Sequence, residues 1–388
     1  MKKSSLVVLL LLLSPALSET AKKEEIAYLK EKQAVVESIE KRSSELVDLS
    51  DQVWRFAETA LRETKSSKLL ADYAEKQGFR VERGVAEMPT AFIATFGQGR
   101  PVIGILGEYD ALPGISQKAS PVKEPLEPGA AGHGCGHNLF GAASMGAAVA
   151  IKEMIAAGNW KGTIRFYGTP AEESVGGKIY MARADLFKDL DVCIVWHPDT
   201  EIKADTGGSQ ALVDFIVEFQ GKAAHAAYDP WNGRSAVDAL ELFTHAINLM
   251  REHVKPSVRL HYTIQRGGDV PNVVPEYAKL WCWVRDSKRT GVEELLGRVR
   301  KAVEGAALAA DVEGKMTIQT GDYEMLVNME GSKLLQTNLE WLGPIRYTEP
   351  EQEFAQQIQR STGVPEKGLD GSIKPLTPPP ADPEGGSH

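Results

Sequence analysis

The chain has 388 residues, 43% of them hydrophobic and 25% charged, with 53 Asp and Glu against 44 Lys and Arg for a formal charge of -9. Such a composition belongs to a chain that buries a core, and at roughly 100–200 residues per domain it predicts two domains. An acidic chain repels polyanions, so nucleic acid is not expected as a partner, and three cysteines cannot build a disulfide framework.

Lys2 and Lys3 precede an unbroken apolar run from Leu6 to Leu13, followed by Ser14-Pro15-Ala16-Leu17-Ser18. A basic start, a short apolar stretch and small residues at Ala16 and Ser18 predict a secretory signal peptide over residues 1–18. Eight apolar residues are too few to span a bilayer, which takes about 20. The expected mature protein is therefore periplasmic or secreted and carries no membrane anchor.

From Glu24 to Glu58 the spaced apolar residues predict a long helix or a pair of helices. Ala91–Phe96 and Val102–Leu106 are predicted strands meeting at a turn over Gly97-Gln98-Gly99-Arg100-Pro101. Further strands are expected at Thr163–Tyr167 and Val192–Trp196, with helices at Leu139–Ala157 and Gly177–Ala184. This alternation predicts an α/β unit: a mostly parallel sheet with helices on both faces, whose ligands bind beyond the carboxyl ends of the strands. It is assigned residues 19–204.

Near Thr206-Gly207-Gly208 the pattern changes. Strands are predicted at Ala211–Phe219, Arg259–Gln265, Tyr277–Val284 and Lys315–Thr320. Helices are predicted at Arg234–His253 and Thr290–Ala310, the latter with Thr290 as its cap. That β-α-β-β-α-β order describes an inserted domain over residues 205–325, an antiparallel sheet with two helices on one face. Residues 326–388 are read as the start of a returning segment. From Glu349 onward the Pro-, Glu- and Gly-rich composition predicts a loop or tail.

Three clusters carry possible metal chemistry. In His133-Gly134-Cys135-Gly136-His137-Asn138, a thiolate and an imidazole two residues apart can turn to one point on glycine-flanked backbone, though the run also suits a packing turn. In Ala171-Glu172-Glu173, two adjacent carboxylates follow a strand; the ordinary alternative is an acidic helix start. His197 closes the strand that contains Cys193, which is expected in the core; a lone histidine there is more often a surface residue. Taken together, all three fall at strand exits or helix openings and can share one rim. Cys135, His137, Glu173 and His197 then form a sulfur, nitrogen and oxygen set for a divalent cation, and Glu172 is left as a general base.

These runs, with Leu106-Gly107-Glu108-Tyr109-Asp110-Ala111-Leu112-Pro113-Gly114, Gly221-Lys222-Ala223-Ala224-His225-Ala226 and Pro271-Asn272-Val273-Val274-Pro275, make the chain resemble the dinuclear-metal aminoacylase and carboxypeptidase family. The resemblance runs from about Glu40 to Gly386. It implies two divalent metal ions, Zn or Mn, with Cys135 bridging, His137, Glu173 and His197 as further ligands, Glu172 as the base and Asp110 orienting a ligand imidazole. It also implies that the inserted domain serves as a lid and dimerisation domain, making the protein a homodimer. His225 would then reach across the dimer to polarise the scissile carbonyl, and Asn272 and Arg285 would hold the substrate's amide and carboxylate. The implied activity is a metal-dependent amidohydrolase acting on N-acyl or N-aroyl amino acids, of the p-aminobenzoyl-glutamate kind, or on dipeptides.

Relatives in that family continue past the stretch matching Gly385-Gly386-Ser387 and supply one more metal-binding histidine, whereas this chain stops at His388. The expectation is that the C-terminal part of the catalytic domain is missing, one metal is short of a ligand, and the sheet is left with an apolar edge. Two rival readings stand beside the enzyme. One is a catalytically impaired, dimerising or binding subunit, and the other is a cysteine hydrolase using Cys135 with His137 or His197.

Overall fold

The computed structural model describes residues 19–380, so the signal-like segment 1–18 lies outside the described residues. Residues 24–58 form two helices, α1 (Glu19–Lys41) and α2 (Ser43–Phe56), and α3 (Thr64–Lys76) follows. The first sheet consists of β1 (Arg80–Arg83), β2 (Phe92–Gln98), β3 (Val102–Gly107), β4 (Gly162–Gly168) and β5 (Val192–Ile194). Between them run α4 (His137–Ala156), the short α5 (Glu172–Val175) and α6 (Gly177–Arg183).

The strand order is β1-β2-β4-β3-β5. β3 runs parallel to β4 and β5, the strands joined by helical crossovers, while β2 runs antiparallel to both β1 and β4. The sheet is thus mixed, which corrects the expected mostly parallel one: β1 and β2 precede the first crossover helix, so nothing forces them to be parallel. β2 and β3 do not pair at their turn, because β4 lies between them. Two strand spacings of about 4.8 Å are within reach of a short connection at about 3.3 Å per residue. The connection is fastened to β4 by Thr163 N donating to Pro101 O at 2.8 Å and Thr163 Oγ1 donating to Gly99 O at 2.8 Å.

Helices cover both faces. Phe92, Ala94, Ile105, Ile164 and Phe166 pack on Leu49, Val53, Leu70, Met145 and Val149 of α2, α3 and α4. The alternate residues Ile93 and Tyr167 pack on Met181 of α6 and on Met88. Among the described residues α4 is the one helix long and apolar enough to cross a membrane, and it packs against α1, α2 and the sheet as a core helix. β5 is an edge strand, and Val192, Cys193 and Ile194 are all exposed, so Cys193 is not the core residue its apolar neighbours predict.

The second sheet has the order β7-β8-β6-β9, all antiparallel, from β6 (Ala211–Gln220), β7 (Arg259–Gly267), β8 (Tyr277–Asp286) and β9 (Glu313–Asp322). Val213, Phe215, Val217, Leu280, Cys282 and Val284 alternate onto one face. There they bury Phe243 and Ile247 of α7 (Ala236–Met250) and Leu295 and Val299 of α8 (Arg289–Ala310). Lys288 occupies the N-cap of α8, and Thr290, the predicted cap, lies inside the first turn, one residue beyond the observed start.

The segment after β9 departs from expectation. α9 (Met329–Leu342) precedes the predicted loop, and α10 (Glu349–Thr362) takes the place of its first part, opening on a capping box between Thr348 and Glu351 with proline in its first turn. The following chain is held by Lys374 N donating to Ile202 O at 2.8 Å and Thr206 Oγ1 donating to Thr377 O at 2.9 Å. Composition gave too much weight to Pro and Gly and too little to those cap signals.

Candidate metal centre

β3 ends at Gly107, and the next three residues place Glu108 and Asp110, both buried, beyond its carboxyl end. The loop 133–136 then delivers His137 as the first residue of α4. Gly136 takes a left-handed φ of +83°, and a Cβ there would come within 2.9 Å of the Pro198 ring. Glycine therefore lets this loop close on the segment after β5, and Cys135 Sγ comes to 3.3 Å from His197 Nε2.

His137 is fully buried, with Nδ1 3.0 Å from Asp110 Oδ1 and Nε2 2.9 Å from Glu108 Oε2. Glu172 Oε2 stands 4.0 Å from the same Nε2. Asp110 uses its other oxygen to accept the backbone N–H of Glu173 at 2.9 Å, so one carboxylate ties the β3 exit, α4 and the β4 exit together. Lys178 of α6 pairs with Glu108 Oε1.

Two donor groups result, and they share His137. One atom each from Cys135, His137 and His197 lies within 4.8 Å of the others, and so does one each from Glu108, His137 and Glu172. Glu108 Oε2 and His137 Nε2 are buried without the alignment of a hydrogen bond despite their closeness. A thiolate, two imidazoles and carboxylates converging on orphaned buried atoms form a donor set that fits divalent cations of the zinc type.

The electrostatics agree with that use. Hydrogen bonds to His137 and His197 lower the Cys135 pKa, and the Cys135 hydrogen bond raises that of His197. Burial raises Glu172 to about 7, with the nearby Glu108 charge adding to it. Burial pushes the Glu108 pKa upward too, but His137 and Lys178 outweigh it and hold that carboxyl at about 2.

Of the residues singled out from the sequence, Cys135, His137 and His197 come together, with Asp110 behind His137. Glu172 reaches the centre as well. Glu173 is half-buried beside Cys135, whose pKa its charge raises, but it lies outside both 4.8 Å groups. His133 turns away, with Nε2 3.2 Å from Val53 O, and burial lowers its pKa to about 4. Glu108 is the member that sequence reasoning missed. The signal was present in the alternation Glu108-Tyr109-Asp110, which sends two acids to one side and buries the tyrosine between them.

Of the remaining three, Arg285 lies in the second sheet, and His225 and Asn272 lie in loops between its strands. His225 bridges Val273 and accepts, at Nδ1, the N–H groups of Ala227 and Tyr228 at 3.3 and 3.2 Å. Asn272 lies beside it, its carbonyl accepting from Ala226 N at 3.0 Å. Arg285 sits on β8 with its guanidinium 4.8 Å from the centre of the Trp283 ring. Among the described residues, none of the three has a hydrogen bond or ion pair to the centre.

The family model described as Peptidase family M20/M25/M40 matches residues 104–361, which include every residue of the centre. A p-aminobenzoyl-glutamate hydrolase subunit of Escherichia coli is 39% identical over 325 residues, covering 83% of this chain and 68% of that protein. The Xaa-Arg dipeptidase of Homo sapiens is 32% identical over 308 residues, covering 74% and 66%. The chain thus spans about two thirds of the length of either relative. In fold it is similar to an aminobenzoyl-glutamate utilization protein from Klebsiella pneumoniae, with a TM-score of 0.62 at 18% identity over 87% of this chain and 92% of that one. It is also similar to a dinuclear metal binding peptidase from Bacillus subtilis, with a TM-score of 0.54 at 19% identity over 77% and 80%. The family match extends over more than half of the chain, from the carboxyl end of β3 through both acidic and histidine-bearing loops, and the chain is therefore a member of Peptidase family M20/M25/M40, a family of hydrolases.

Proposed function

We propose that the protein is a metal-dependent amidohydrolase that cleaves the amide bond of N-acyl or N-aroyl amino acids. The observation that carries this reading is the pair of donor groups that share His137. Cys135, His137, His197 and the neighbouring Glu173 would hold divalent ions, zinc or manganese. When bound, such ions supply Lewis acidity toward the amide carbonyl and acidify water near neutral pH. Glu172, raised to about 7 by burial, is poised to take the proton of the attacking water at its carboxylate and to deliver it to the leaving nitrogen. Asp110 fixes the His137 ring by its Nδ1, which leaves Nε2 as the ligand atom.

His225, Asn272 and Arg285 would bind substrate, with Arg285 offering its planar fork to a carboxylate. In a homodimer, a second copy would present them to the centre. The 39% identical relative carries p-aminobenzoyl-glutamate hydrolase in its name, which supports an aroyl-glutamate substrate. The signal-like residues 1–18 support action outside the cytoplasm.

The test is Glu172→Gln: turnover of p-aminobenzoyl-glutamate should fall at least a thousandfold while two metal equivalents persist by elemental analysis. Turnover at the parental rate removes Glu172 from the base role. A second reading, a cysteine nucleophile, draws on the 3.3 Å contact between Cys135 and His197. It leaves Glu108 and Glu172 without a task and requires activity that survives chelation, so loss of turnover on chelation with recovery on zinc or manganese addition decides for the metal route.

A further inference from the structure

Glu63, at the N-cap of α3, is wholly buried yet belongs to neither donor group. Its Oε1 accepts two backbone N–H groups, from Leu61 and from Ala171, each at 2.9 Å. Both are non-glycine residues with left-handed backbone, at φ +60° and +59°. An L-residue with a side chain enters that region only where its surroundings hold it there. Its Oε2 accepts from Thr90 Oγ1 at 3.0 Å, and Thr90 O accepts from the hydroxyl of buried Tyr109 at 2.6 Å. Tyr109 stands between Glu108 and Asp110, and Ala171 directly precedes Glu172 and Glu173. One buried carboxyl therefore fastens the β4-exit turn and, through Thr90 and Tyr109, the β3-exit segment.

We propose that Glu63 is a positioning residue: its Oε1 clamps the left-handed Ala171 turn so that Glu172 faces His137 rather than solvent. The inference rests on the hydrolase reading given above and adds to it a group that touches no reacting atom. Burying a carboxyl is unfavourable unless its oxygens are satisfied, and here one bond stays local at Leu61 while the other two go to the Ala171 turn and to Thr90, which braces Tyr109. A residue serving only the fold would not need to unite two left-handed residues from segments more than 100 positions apart.

The experiment compares Glu63→Leu, Glu63→Gln and Ala171→Gly. Leucine removes both acceptors, whereas the glutamine carbonyl still accepts both N–H groups. Glu63→Leu should lower kcat at least tenfold for p-aminobenzoyl-glutamate with KM within twofold and metal content unchanged, and Glu63→Gln should stay within about threefold of the parent. Glycine adopts the left-handed turn without strain, so Ala171→Gly should raise Tm while lowering kcat, opposite directions that a merely structural role does not produce. In metal-free protein the Tm loss from Glu63→Leu should be less than half as large in the Ala171→Gly background. A Glu63→Leu protein that melts earlier but keeps its kcat overturns the inference, as do additive Tm changes. If Glu63→Leu does not fold, Ala171→Gly decides alone, with unchanged kcat overturning the proposal. A Glu172→Gln enzyme at the parental rate refutes the hydrolase assignment itself, and the metal-free Tm cycle still judges the clamp.

Discussion

Asp110 holds His137 from behind, its Oδ1 3.0 Å from the ring Nδ1, while its Oδ2 accepts the N–H of Glu173 at 2.9 Å. The first contact selects the tautomer that presents Nε2 to the centre, and the second ties a carboxylate-bearing turn to the same anchor. Asp110→Asn keeps the shape but weakens the acceptor. Metal affinity measured by competition with a chromophoric chelator should fall about 10- to 100-fold, and an unchanged affinity removes Asp110 from this task.

Glu108 gives the metal-free protein a definite acid limb. Its carboxyl is held at about 2 against an ordinary 4.5, so the folded state binds its proton more weakly than the unfolded state. The stability it contributes is fully present above pH 4.5 and is lost as pH falls toward 2. The linked free energy is on the order of 3 kcal/mol, since each pKa unit is about 1.4 kcal/mol. Urea titrations of metal-free parent and Glu108→Gln across that window should show the parent losing its advantage as the solution is acidified. Parallel curves remove the assignment.

At Gly136 the geometry leaves little freedom. Alanine meets both the left-handed φ of +83° and the Pro198 ring at 2.9 Å. Gly136→Ala should lower stability by about 1–2 kcal/mol from the backbone alone and push Cys135 away from His197. Denaturant melts, with the cobalt-substituted thiolate absorption as the second readout, check both effects. A protein with parental stability and parental spectrum contradicts this packing.

Cys135 should behave as an activated thiol in metal-free protein, because hydrogen bonds to His137 and His197 stabilise its thiolate. Iodoacetamide at neutral pH followed by peptide mapping should modify Cys135 well before buried Cys282, and zinc should protect it. Labelling of Cys135 that zinc leaves unchanged speaks against its serving as a ligand.

The sequence by itself determined the local periods and the chemical inventory. Alternating apolar residues in β6 and β8, the helical spacing of α7 and the Gly-Cys-Gly-His run all express constraints acting within about ten residues, where backbone geometry and the burial of one face decide the outcome. That is why the second sheet, the crossover strands and the sulfur–imidazole pair could be read directly. Tertiary packing alone decided that β4 separates β2 from β3 and that β5 ends as an exposed edge. It also decided which acids face His137. Glu108 and Glu172 arrive from the ends of two adjacent parallel strands, and Glu63 from a helix cap more than 100 residues before the turn it holds. A local alternation can send Glu108 and Asp110 to one side, but what they meet there is set by how strands stack and where buried carboxylates find partners.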